Sequence, residues 1–201
     1  MRKWTLLAAL AFLLAAPVAH ADGDPASDYL LSMSAFVPPD ANVPNGDAQQ
    51  LRTVLATAKA RGYEIRVALI ATTYDMGSVA TLFGKPQQYA RFLGQELYFV
   101  YKGRLLVVMP NGYAVSRGGK LLPSGQKTVS KLSPPGTNSH ALATGATAAV
   151  RRLAASSGVS VPLPKVSSGK SDSERWALVG IVVLALLAAG GATVFLRRRR
   201  A

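Results

Sequence analysis

From Trp176 to Leu196 the chain carries no ionisable side chain, and four arginines, Arg197 to Arg200, follow at once. About twenty residues, at 1.5 Å of helix each, match the ~30 Å hydrocarbon thickness of a bilayer. A buried helix of a soluble domain seldom lacks charge over such a length, so residues 176–196 are predicted to cross a membrane once. The arginine block resists translocation and stays on the cytoplasmic side, which leaves residues 22–175 outside.

The amino end agrees with that orientation. Arg2 and Lys3 precede an uncharged run from Trp4 to Val18, and Ala19-His20-Ala21 has the small-x-small form of a signal-peptidase site. The expected organisation is a signal peptide over 1–21, an extracytoplasmic domain over 22–157, a Pro/Ser/Lys stalk over 158–175, the span over 176–196 and a cytoplasmic tail over 197–201. The expected location is the cell membrane, single-pass, with the domain outside.

The formal charge of +13 suggests nucleic acid at first sight, but Arg2, Lys3 and Arg197 to Arg200 supply six of the 23 basic residues. The other 17 face 10 acids, which leaves +7 for the outer part. Its cations are scattered through the sequence without a nucleic-acid motif, so no nucleic acid is expected and attraction to anionic envelope surfaces is. Cysteine is absent, which excludes disulfides, thiolate metal sites and thiol catalysis.

Within the outer part, Asp28 to Val37 reads as a first strand running into Pro38-Pro39. Leu51, Val54, Leu55 and Ala58 recur at helical spacing after Asp47, an N-cap candidate, and Gly62 closes the pattern. Tyr63 to Ala71 turns continuously apolar, as a strand buried on both faces does. Thr72 to Asp75 then leaves that strand and is expected to cap a short helix over Met76 to Leu82, with capping the first role of Asp75 and a site role its alternative. Pro86 stands at the first position of another helix. Arg104 to Met109 is a second buried strand, and Asn111-Gly112 turns it back into Tyr113 to Ser116. Residues 117–138 read as a long loop, and Ser139 to Ser157 as a closing Ala-rich helix. The predicted fold class is α/β: a mixed sheet of about four strands flanked by helices, plus the C-terminal transmembrane helix.

The phrase RVALIATT, the QxYARFL helix and GRLLVVMPNGYAV, in that order, resemble the TPM domain family, whose members are often exported and held by one C-terminal span. The resemblance covers about Asp28 to Ser157. It implies a role as an assembly or interaction domain, or as a metal-dependent phosphatase, with calcium as the possible ion held by carboxylates at strand ends. The family's Asp-Asn-Gly ahead of the third strand is replaced here by Lys102-Gly103-Arg104, and the acid-bearing hairpin by Pro110-Asn111-Gly112. Asp75 alone stands where a family metal ligand is matched, and one acid is few for a hard cation.

His140 opens the last helix with no Ser motif, Cys or paired acid near it in sequence, and reads as a surface residue rather than a base. Glu64 and Glu96 read as solvated partners of neighbouring arginines. Gly118-Gly119-Lys120 and Ser124-Gly125-Gln126-Lys127 lack the spacing of a phosphate-binding loop. No catalytic residue is assigned. The expectation is a membrane-tethered interaction domain with an envelope protein partner, and the alternatives are a divergent phosphatase acting through Asp75 or a ligand-sensing domain.

Overall fold

The computed structural model describes residues 23–163. The leader over 1–21, the stalk beyond 163, the span over 176–196 and the arginine tail over 197–201 lie outside the described residues. Among the described residues no helix is long and apolar enough to cross a membrane.

The domain is α/β, a five-stranded mixed sheet between two layers of helices. Its strands are β1 (Ala35–Phe36), β2 (Ile65–Leu69), β3 (Arg104–Met109), β4 (Gly112–Arg117) and β5 (Lys120–Leu121). They lie side by side in chain order. β1, β2 and β3 are parallel, while β4 and β5 continue antiparallel. The sheet therefore has one strand more than the expected four. The fifth is two residues long, too short to show a period of two in the sequence.

The helices are α1 (Pro25–Leu30), α2 (Asn45–Ala60), α3 (Pro86–Glu96), α4 (Pro123–Val129) and α5 (Ser139–Ser156), and 3-10 turns run over Thr73–Leu82. Three expectations fail here. The stretch read as a first strand begins as α1, which Asp24 caps by accepting from the Ala26 N–H with Pro25 at the first helical position. The stretch read as a long loop contains β5 and α4, the latter again started by a proline. α2 also begins two residues ahead of Asp47, which sits in its first turn instead of capping it.

The strands alternate between two cores, as a pleat requires. Val67, Leu69, Leu106, Val108 and Val115 face α2 and α5, whose Leu51, Val54, Leu55, Ala146, Val150 and Leu153 close that side. Ala68, Ile70, Leu105, Val107 and Met109 face α1 and α3, where Leu30, Tyr89 and Leu93 are fully buried. The chain continues to pack after α5. Val161 is buried in the first core, and the Ser160 and Val161 carbonyls accept from Arg61 Nη1 at 2.5 Å and Arg151 Nε at 2.7 Å.

Candidate functional site

The carboxyl edge of the parallel strands is where α/β folds place ligands, and the turn leaving β2 is pinned there by Asp75. Its Oδ2 accepts from the Ala71 N–H at 2.7 Å and the Thr72 N–H at 2.8 Å, a capping-box arrangement with Thr72. Asp75 is buried by this, whereas its neighbour Tyr74 is 89% exposed. The structure thus brings the sequence-predicted site residue to the expected edge and gives it a backbone-holding task.

Sequence reasoning missed the second carboxylate. Asp24 lies buried beside α3, where the Tyr89 hydroxyl donates to its Oδ1 at 2.7 Å and its Oδ2 at 2.9 Å. Burial pushes the Asp24 carboxyl up to about 6; the bonds from Tyr89 and Ala26 oppose that rise, and the charges of Asp28 and Glu96 add to it. Tyr89 is itself pushed far up by burial, by the charge and hydrogen bond of Asp24 and by the charge of Asp75, so it stays a protonated donor. The available signal for Asp24 was local: an Asp directly before a Pro is a helix-start pair. Its contact with Tyr89 spans 65 residues of chain, which no local pattern shows.

Gly77 completes this corner. It adopts φ +49°, ψ −123° inside the 3-10 segment, and a Cβ there would collide with the Gly23 carbonyl oxygen. A glycine is needed for the amino-terminal segment to lie against this turn.

Both oxygens of Asp24 and one of Asp75 are spent on these hydrogen bonds. A hard cation takes six or more oxygens, so Asp75 Oδ1 with main-chain carbonyls is a sparse donor set for calcium. Among the described residues no three His, Cys, Asp or Glu side chains come together.

The remaining candidates sit apart from this corner. His140 Nδ1 meets Asp47 Oδ2 at 2.6 Å, an exposed clasp between the starts of α5 and α2. Glu64 pairs with Lys59 at 3.0 Å, while Glu96 is exposed near the end of α3. Gly118-Gly119 forms the β4–β5 turn, and Ser124 to Lys127 lies within α4.

The opposite edge, at the amino ends of the parallel strands, has another character. Between α3 and β3 the chain exposes Tyr98, Phe99 and Val100, with Phe99 at 93%. Arg104, Arg117 and Lys120 sit in line there across the ladder, Arg104 opposite Arg117 and Arg117 opposite Lys120. The domain is thus an α/β sandwich with an acidic, hydrogen-bonded corner at one edge and an aromatic, cationic one at the other. No family model, curated protein or solved structure matches the chain.

Proposed function

We propose that this chain is a TPM-like, membrane-tethered extracytoplasmic domain that presents the carboxyl edge of its sheet to an envelope protein partner. The observation that carries this reading is Tyr74. An aromatic side chain left 89% exposed stands on a turn that Asp75 fixes through two backbone bonds, so a partner meets a pre-ordered anchor and little ordering entropy is lost on binding. The single-span reading of residues 176–196 supplies the tether. A photo-crosslinking amino acid in place of Tyr74, in the full chain in its native membranes, is expected to give one discrete adduct with an envelope protein. A chain that is intact in the membrane yet gives no discrete adduct from that position would sink the assignment.

The rival is a divergent metal-dependent phosphatase, favoured by the two carboxylates that flank Tyr89 at the ligand-binding edge. It requires a calcium, magnesium or manganese ion to raise the melting temperature saturably, because a ligand specific to the folded state must do so. It also requires Asp75→Asn to abolish that rise. Our reading expects no saturable shift with any of the three.

A further inference from the structure

We propose that the amino-terminal edge of the sheet is a docking surface for an anionic lipid bilayer, with Tyr98, Phe99 and Val100 entering the interface and the surrounding cations resting on head groups. The inference rests on the tethered reading above and adds which end of the domain meets the membrane.

The apolar part is a single turn. After α3 a 3-10 turn, Leu97–Phe99, buries Leu97 in the core and points the next three side chains outward: Tyr98 is 42%, Phe99 93% and Val100 60% exposed. Tyr98 packs edge-on against Phe99 with ring centroids 5.9 Å apart, but Phe99 and Val100 leave most of their apolar surface in water, a patch with no use in the core. Aromatic rings with a polar rim are the side chains that favour the head-group region of a bilayer.

The cationic part surrounds this turn. Lys102 Nζ lies 4.5 Å from the Tyr98 ring centroid, and a Cβ added to Gly118 of the β4–β5 turn would lie 3.7 Å from the same ring. Directly opposed like charges weaken a β-ladder, yet Arg104, Arg117 and Lys120 face one another across three strands. Among the described residues none of Lys102, Arg104, Arg117 and Lys120 has an acid within ion-pair distance, and nearby Glu64 is taken by Lys59. The fold offsets part of that repulsion, since the Arg104 guanidinium lies 4.3 Å from the Tyr63 ring centroid, and an anionic surface would relieve the rest, above all at the exposed Arg117 and Lys120.

The connectivity selects lipid over other anionic partners. Arg61, the residue closing α2 just before β2, holds the Ser160 carbonyl, so the chain leaves the domain at this same edge. Residues 164–175 then separate it from the segment read as the span, and twelve residues reach at most about 40 Å when extended. A surface kept so near a bilayer meets lipid at a high effective concentration, so modest intrinsic affinity is sufficient.

The chain has no cysteine, so Phe99→Cys in the full chain accepts one environment-sensitive fluorophore, with Tyr74→Cys as the reference at the other edge. Each labelled protein is reconstituted into vesicles of phosphatidylcholine alone or mixed equally with phosphatidylglycerol, and quenched by lipid-borne nitroxide. Docking requires quenching at position 99 several-fold above that at position 74 in the anionic vesicles. This excess should be lost in about 1 M salt, where the screening length shrinks to about 3 Å. The triple change Lys102→Gln, Arg117→Gln and Lys120→Gln should remove it as well, since all three side chains are exposed and their loss leaves the core intact.

Equal, weak quenching at both positions, in chains that float with the vesicles after alkaline washing, overturns the docking and leaves the tether standing. A blue shift at position 99 without lipid quenching, growing with the protein-to-lipid ratio, assigns the surface to a second copy and also overturns it. Chains that are stripped off by the wash overturn the tether, and the docking with it.

Discussion

Asp24 and Tyr89 form a buried carboxylate–phenol pair, and its energetics follow from which proton is held. The unfolded chain releases the Asp24 proton near the ordinary value of about 3.9, the folded chain at about 6. Between those values the folded state binds more protons than the unfolded state, so this group's contribution to stability falls as pH rises through the window and is constant outside it. Asp24→Asn, which keeps an oxygen to accept from Tyr89, is expected to flatten that slope in urea midpoints measured from pH 4 to pH 7. An unchanged slope would mean that the carboxyl titrates normally. Tyr89→Phe tests the same pair from the other side. It removes the donor and leaves a buried carboxyl with one partner fewer, at an expected cost of about 1–3 kcal/mol in the same measurement. Of this corner the two caps are within reach of the sequence, because a cap lies within three residues of what it caps: Asp75 reads as one, while Asp24 before Pro25 is passed over. Asp24 and Tyr89 meet through space, after the sheet has already brought α1 beside α3.

Elements with a strong one-dimensional signal stand where the sequence puts them. β3 runs over Arg104 and the five apolar residues after it, the Asn111-Gly112 turn sends the chain back along it, and Pro86 starts α3. α1 and α4 were missed because six or seven residues make fewer than two turns, too few for helical periodicity to outweigh an apolar run or a polar, glycine-bearing one. Packing between elements is a further layer that composition does not show. Gly94 on α3 faces the β4–β5 turn so closely that an added Cβ would lie 2.9 Å from the backbone of Gly119. Backbone cannot swing aside as a side-chain tip does, so Gly94→Ala is expected to lose about 1–3 kcal/mol through the clash, more than the helix-propensity gain of about 1 kcal/mol returns. Gly46, near the start of α2, has nothing within 4 Å of such a Cβ. There the same substitution should be neutral or stabilising by a few tenths of a kcal/mol. Thermal unfolding of the two variants side by side checks the contrast, and equal shifts would show that propensity, not close approach, governs both sites.

At the scale of the molecule, the three parallel strands are visited in spatial order, yet α2 crosses on one face and α3 on the other. Two crossovers that step the same way across a sheet on opposite faces have opposite hands, so one of them departs from the usual right-handed rule. No local pattern in the sequence encodes this, and an expectation built on handedness alone would have placed both helices in one layer. The arrangement leaves α2 to share its layer with the last helix, α5, and the groove between their carboxyl ends is closed by the segment that follows α5. Sequence reading ended the domain at residue 157 because Gly158, Pro162 and Pro164 have linker composition, yet Val161 from that stretch is buried and its carbonyl is bound by Arg151. Val161→Asp should therefore destabilise the full chain by about 2–3 kcal/mol, from the lost apolar burial and the unpaired charge it brings. Pro162→Ala, one residue on and outside the core, should cost far less. Urea unfolding of the two variants reads the difference, and amide exchange at Val159, whose N–H the Ala154 carbonyl holds at 2.9 Å, should rise sharply in the first alone. If Val161→Asp instead left stability and exchange unchanged, the domain would end at α5, and the chain's exit beside Arg61, with the orientation argued from it, would lose its footing.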